Sequence, residues 1–403
     1  MDCNIPPQAD TLVVSISDIE MGAGGPTDDF PHDDFLAALL RRYAQPPYDR
    51  LAVTLVFNGD TFDFLKTSLY GTYPRHITAE TGVDKLERIA AAHPVFFEAL
   101  RDFLAAAPGR NTAQFVVGNH DLELLFEDVQ DRIRQRVGHA GCHFPGFSLD
   151  IGDVRIEHGS QGDALFRMDE RQLFLPFRGD HILNLPWGCT ALIDVALPLQ
   201  PYLYPLDRLK PRKLVLELMP EVKALLIGAY WRYWTRDYWG DMLRGRDPIK
   251  RISWTMFREL VYRFGSQDPD VRVGEHYQRP LMADKGHRLT VIGHLHTARW
   301  WSYGDRKILQ TGCFRDEYML ADRGGELRPI PKTLAEIYLH GGRVVTSSLI
   351  ELAGPPAPEG HMPADIFSVV SQVIPLIGSH AERARIALDE RRQLDHEATE
   401  PES

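Results

Sequence analysis

The sequence predicts an α/β protein whose sheet-based domain is interrupted by a long helical insertion. Three observations carry the prediction. Short β-branched apolar runs alternate with stretches of helical spacing from the N-terminus to about residue 165. Each run ends in a cluster of Asp, Asn, His and Gly. Residues 165–285 then change character before strand-like sequence resumes.

The elements follow in order. "TLVVSIS" (11–17) is a strand that breaks at Asp18, and "HDDFLAALLRRYAQ" is a helix stopped by Pro46-Pro47, which cannot continue it. "LAVTLVFNGD" is a second buried strand. "VDKLERIAAAHPVFFEALRDFLAAA" is helical with a break at Pro94. "TAQFVVGNHD" is a third strand, "LELLFEDVQDRIRQRV" an amphipathic helix, and "VRIEHGS" a further strand. Strands resume at "HRLTVIGHLHTARW", continue through "KILQTGCF" and close with "AEIYLHGGRVVTSSLIEL". This divides the chain into a first half of the domain (1–164), an insertion (165–285), a second half (286–353) and a C-terminal segment (354–403) read as a peripheral helix with a frayed end.

Composition narrows the function. The chain has 403 residues, 44% of them hydrophobic, and a net charge of -11. An acidic chain argues against a general nucleic-acid coat, since phosphate backbones are bound by basic surfaces. Four scattered cysteines form no CxxC pair, so a reducing, cytoplasmic setting is expected. "MDCNIPPQAD" lacks a basic and then apolar leader, and no apolar run approaches the roughly 20 residues needed to span a bilayer. Contact with a membrane surface stays open.

Five strand ends bear the chemistry: "SDIEMG" (Asp18, Glu20), "FNGDTFD" (Asp60, Asp63), "VVGNHD" (Asn119, His120, Asp121), "IEHGS" (His158) and "VIGHLHT" (His294, His296). In open α/β sheets, ligands bind at the carboxyl ends of strands. Mixed oxygen and nitrogen donors suit divalent Mn, Fe, Zn, Ni or Co. This set exceeds what one tetrahedral ion needs, so two divalent metal ions are expected. Paired ions suit phosphoester cleavage. Singly, each cluster has a plainer explanation: Asp60 or Asp121 could cap a helix, and His158 could be a satisfied polar residue. Structural needs do not call for all five together.

These motifs in this order, from Asp18 to His296, resemble the calcineurin-like metallophosphoesterase superfamily. The resemblance implies a four-layer α/β/β/α sandwich with a di-metal site. Asp60 would bridge the ions. Asp18, Glu20 and His296 would complete the ligand set of the first ion, and Asn119, His158 and His294 that of the second ion. His120 would protonate the leaving oxygen, with Asp121 holding its tautomer and Asp63 supporting the loop or His120. The implied activity is hydrolysis of a phosphomonoester, phosphodiester or diphosphate by attack of a metal-bridging hydroxide. A nuclease of the same superfamily and a non-catalytic binding module are the alternatives. Arg167 and Arg315 are candidate substrate contacts.

Two departures stand out. Glu20 replaces the usual histidine, and its extra negative charge would favour Mn or Mg over Zn. Ser160 follows His-Gly where relatives acting on lipid-linked nucleotide sugars usually carry Asp; here Asp163 lies three residues on.

The insertion is net basic and holds five of the seven tryptophans: Trp187, Trp231, Trp234, Trp239 and Trp254. Either these pack in a helical subdomain of their own, or the segment forms a lid for an apolar part of the substrate. Similarity to UDP-diacylglucosamine diphosphatases, which carry a helical lid for acyl chains, inclines the expected small phosphoester towards a lipid-linked one. The oligomeric state stays open.

Overall fold

The computed structural model describes residues 5–238, 247–249, 256, 258–259, 262, 278, 286–320 and 326–376. The first half comprises β1 (Thr11–Ile16), α1 (Asp33–Arg42), β2 (Ala52–Asn58), α2 (Ala79–Ala92), α3 (Pro94–Ala106), β3 (Thr112–Val116), α4 (Glu127–Val137), β4 (Cys142–Gly146), β5 (Ser148–Ile151) and β6 (Val154–Glu157). Pro94 opens α3 because a first-turn proline sacrifices no helical hydrogen bond, so the expected break falls at His93. The helix expected over "LELLFEDVQDRIRQRV" divides into a 3₁₀ turn, Leu122–Leu125, and α4, separated by the extended backbone of Phe126.

The insertion contains β7 (Phe174–Phe177), β8 (Asp180–Leu183), α5 (Trp187–Ala191), α6 (Gln200–Asp207), β9 (Leu209–Lys210), α7 (Arg212–Leu218) and α8 (Pro220–Arg232). Among its described residues it is thus helical with a β-hairpin and one short strand, where the sequence suggested mostly helix broken by prolines. The second half supplies β10 (Leu289–Ile292), β11 (Arg299–Tyr303), β12 (Arg306–Gln310), β13 (Tyr318–Leu320), β14 (Leu327–Pro329), β15 (Lys332–His340) and β16 (Arg343–Leu352). Trp239, Trp254 and most of "PIKRISWTMFRELVYRF" lie outside the described residues.

Two sheets form an α/β sandwich. The larger has the order β16-β15-β1-β2-β3-β4, with β1 to β4 parallel, and the smaller has the order β11-β12-β10-β6-β5. Period-two alternation explains how the two sheets share a core. Leu12, Val14 and Ile16 of β1 face α1–α4, while Val13 faces Val154, Ile156, Leu289 and Val291 of the smaller sheet. On the helical side, Phe57 and Phe115 stack with centroids 4.8 Å apart, part of a ring cluster that includes Phe62 and Phe96. On the outer face of the smaller sheet, Ile292 and Ile308 pack with Trp301 and Tyr303.

β9 pairs in parallel with β13, which stitches the insertion to the second half. Residues 366–376 are helical. Their Ile366, Val369 and Val373 are buried against Leu209, Val215, Met219 and Val222, so this part of the C-terminal segment is packed on the insertion. No described helix is long and apolar enough to cross a membrane.

Candidate metal centre

The parallel strands β1, β2 and β3 of one sheet, and β6 and β10 of the other, all deliver their carboxyl ends to one place. Backbone bonds lace these ends together. The Asp18 and Glu20 amides donate to the carbonyls of Gly59 and Asp60 (3.1 and 2.8 Å), Gly293 donates to His158, and Phe314 and Arg315 both donate to Asp18. Asp18, Glu20, Asp60, His294 and His296 adopt positive φ between 52° and 69°. Non-glycine residues hold that conformation only where the surroundings over-determine it, and such strain gathers at functional sites. The motif glycines answer to close approach. A Cβ on Gly118 would sit 2.1 Å from Asp60 Oδ1, and one on Gly293 would sit 2.7 Å from Asp18 Oδ2.

Three buried polar atoms here have no hydrogen-bond partner: Asp18 Oδ1, Asn119 Oδ1 and His158 Nε2. Burying such atoms unpaired costs on the order of 1–3 kcal/mol each, so the arrangement calls for a further partner. His158 Nδ1 donates to the Asn58 carbonyl at 2.9 Å, which leaves Nε2 as the nitrogen that can take a proton or a metal; it lies 3.1 Å from Asp60 Oδ2 and 4.0 Å from Asp18 Oδ1. His296 is oriented similarly. Its Nδ1 faces Glu317 Oε1 at 2.7 Å, and its Nε2 lies 3.3 Å from Asp18 Oδ1 and 3.5 Å from Glu20 Oε1. A carboxylate or carbonyl behind a histidine is the usual means of aiming it at a metal. Candidate ligand atoms of Asp60, His158 and His294 lie within 4.8 Å of one another.

The field of the site has the matching sign. Burial opposes charge on His158, yet Asp60 and Asp18 outweigh it and push the imidazole up to about 9. Burial also works against ionisation of Asp60, but His158 and His120 hold its carboxyl well below the usual range. The carboxylates therefore select positive charge at Nε2, which a proton or a divalent ion can supply. Donor types, orphaned atoms and field all fit divalent metal.

The site brings together all seven expected ligands: Asp18, Glu20, Asp60, Asn119, His158, His294 and His296. Arg315 is buried beside Glu20 and lines the cavity above the site. Arg167 is exposed, donates to the Gln161 carbonyl and lines a separate surface groove. The role expected of Asp121 belongs to Asp63, whose Oδ1 lies 2.9 Å from His120 Nδ1. Asp121 instead accepts the Thr61 and Gly118 amides (2.8 and 2.6 Å), bracing the β2 and β3 ends that carry Asp60 and Asn119. Burial resists charge on His120, but Asp63, Glu20 and Asp60 raise it to about 10.

Sequence reasoning passed over Lys66, Glu317 and Asp207. Lys66 sits three residues after Asp63, and Glu317 two after Arg315, but neither belongs to a metal motif. Asp163, displaced from the place after His-Gly, still reaches the site, with Oδ2 3.2 Å from His294 Nε2.

A cavity of about 530 Å³ opens over the site. Its lining includes Asp60, Asn119, His120, His294 and His296, and the insertion adds a group of apolar side chains, among them Leu197, Leu203, Leu206, Val215, Val222 and Leu226, together with the polar Gln200, Asp207, Lys210 and Arg212. Trp187 and Trp234 stack 5.8 Å apart in a separate aromatic core with Tyr233 and Tyr238, while Trp231 is exposed. Trp187 and Trp234 thus serve the insertion's own packing, while leucines and valines of the insertion line the cavity.

No protein-family model and no curated protein matches the chain. Among solved structures it is similar to the phosphopantetheinyl hydrolase PptH of Mycobacterium tuberculosis. Identity is 11%, the match covers 76% of this chain and 91% of that one, and the TM-score is 0.25. At that similarity the chemistry has to be read from the side chains themselves.

Proposed function

We propose that this protein is a metal-dependent phosphoester hydrolase acting on a substrate with a substantial apolar portion. The observation that carries the first part is the convergence of three orphaned buried atoms, on Asp18, Asn119 and His158, beside a histidine held by a carboxylate. When bound, divalent ions would supply an activated water nucleophile and neutralise charge on the phosphoryl oxygens, held by Asp18, Glu20, Asp60, Asn119, His158, His294 and His296.

The chain's own residues account for the rest. Asp63 fixes Nδ1 of His120, so Nε2 carries the transferable proton towards the cavity, where a leaving oxygen takes it. The Asp60 carboxylate accepts the His120 amide at 2.7 Å, which ties the proton donor to the ligand loop. Asp121 and the strained loop residues keep these groups from relaxing, so little reorganisation is needed at the moment of reaction.

The apolar portion is proposed from the cavity wall. Leucine and valine side chains lining the same cavity as the charged site suit an amphiphile whose phosphoester meets the charged residues and whose chain lies against the leucines and valines of the insertion. The test is elemental analysis of protein purified without added metal, followed by hydrolysis of short- and long-chain alkyl phosphoesters with Mn, Fe, Zn and Mg. Metal uptake with turnover that rises with chain length supports the proposal. Absence of metal overturns it, and metal without turnover leaves a binding module.

A further inference from the structure

Glu20 stands where an imidazole is expected, and its two oxygens have different surroundings. Oε2 accepts from Lys66 Nζ at 2.7 Å and from Arg315 Nη1 at 2.8 Å. Oε1 is the oxygen that faces His296 Nε2, at 3.5 Å. Arg315 is buried and Lys66 nearly so, and both are held from behind. Lys66 also reaches Asp29 and Asp207 (2.5 and 3.0 Å), and Arg315 reaches Asp29, Asp207 and Glu317 (each 3.2 Å).

An imidazole ligand offers one atom and no charge, whereas a glutamate ordinarily offers two oxygens and a full negative charge. Here two cations, shared with Asp29, Asp207 and Glu317, occupy one oxygen and offset part of the charge, so what reaches the site is one oxygen of a partly compensated carboxylate. We infer that Lys66 and Arg315 are positioning residues that make Glu20 a single-atom, charge-compensated substitute for histidine. This weakens the reason to expect unusually tight or Mn-selective binding from Glu20, because part of the extra charge is offset within the protein. It also accounts for a lysine and an arginine beside a site that binds cations, where unpaired positive charges would repel the metal. The inference rests on the metallohydrolase reading.

The test is a double-mutant cycle on the full chain, with Mn(II) and Zn(II) affinity and stoichiometry measured by chelator competition and elemental analysis. Melting by circular dichroism would confirm that each variant is folded. Glu20→His alone removes the carboxylate that stands between Lys66 and Arg315 and the ion, and should weaken metal binding about tenfold or more. Lys66→Met alone should not weaken it, because it removes a positive charge. In the Lys66→Met background, Glu20→His should recover most of the loss. Lys66→Gln, which keeps a donor without the charge, should behave like Lys66→Met and serves if the methionine variant fails to fold. Equal effects of Glu20→His in both backgrounds, or weaker binding by Lys66→Met and Lys66→Gln, would overturn the inference while leaving the hydrolase reading intact. Wild-type protein that binds no metal would sink that reading itself.

Discussion

Asp63 Oδ1 lies 2.9 Å from Nδ1 of His120, on the neighbouring strand end and 57 positions away in sequence. That contact decides which nitrogen of His120 can meet a leaving group. His120→Ala should lower kcat by about 10²–10⁴-fold with metal content unchanged. Asp63→Asn should cost less and shift the alkaline limb of the kcat profile to lower pH, because it removes charge that favours the imidazolium. Steady-state rates across pH, with elemental analysis of the same samples, check both.

Close packing around Gly118 makes a second prediction. A methyl group there would meet the Asp60 carboxylate, which cannot withdraw without leaving the site. Gly118→Ala should therefore abolish most metal uptake while the far-ultraviolet circular dichroism stays that of a folded protein. Full metal occupancy in this variant would contradict the packing argument.

The apolar cavity wall can be tested one side chain at a time. Leu226→Asn should raise KM for long-chain alkyl phosphoesters and leave short-chain ones nearly unchanged. Each methylene buried against the wall contributes about 0.8 kcal/mol, or roughly fourfold in kcat/KM. A uniform loss over all chain lengths would place Leu226 in folding and not in substrate selection.

Arg208 joins three parts of the chain. It is fully buried, its Nε donates to Asp29 Oδ1 at 2.7 Å, and its other nitrogens donate to the carbonyls of Pro26, Asp28 and His361. Arg208→Met would leave a buried carboxylate and three carbonyls short of a donor, and should destabilise the fold by about 3–5 kcal/mol. Urea unfolding of the two proteins measures this.

His93 provides a stability switch away from the metal centre. It lies between Asp28 and Asp33, at 2.9 and 2.6 Å. Burial opposes its charge, but these hydrogen bonds prevail and raise it from 6.5 to about 9. A raised folded-state value means that the stabilisation is complete below about pH 6.5 and is lost as pH rises through about 9. In chemical denaturation from pH 6 to 10, His93→Gln should flatten this part of the stability profile. An unchanged slope would show that the pair contributes nothing.

Much of the site was legible in local sequence because its chemistry sits at strand ends. A parallel strand announces itself by a β-branched apolar run, and the residues just beyond it must gather at the sheet's carboxyl edge. Asp18, Asp60, Asn119, His158, His294 and His296 could be read that way, as could the break at Pro94. The strand β9 was not legible because its partner β13 lies more than a hundred residues on, and the hairpin β7–β8, whose strands are adjacent, was passed over inside a stretch read as mostly helix.

The sequence by itself determined the kinds of candidate ligand, their order and the strands that bear them, because periodicity and motif spacing are local properties of the chain. Only tertiary structure decided what surrounds each one. Whether Asp63 or Asp121 holds His120, which oxygen of Glu20 is left for the site, and which side chains of the insertion face the cavity all depend on through-space contacts. Lys66, Asp207 and Arg315 lie far apart in sequence and meet only because charges removed from water must find one another as the sheets and the insertion close.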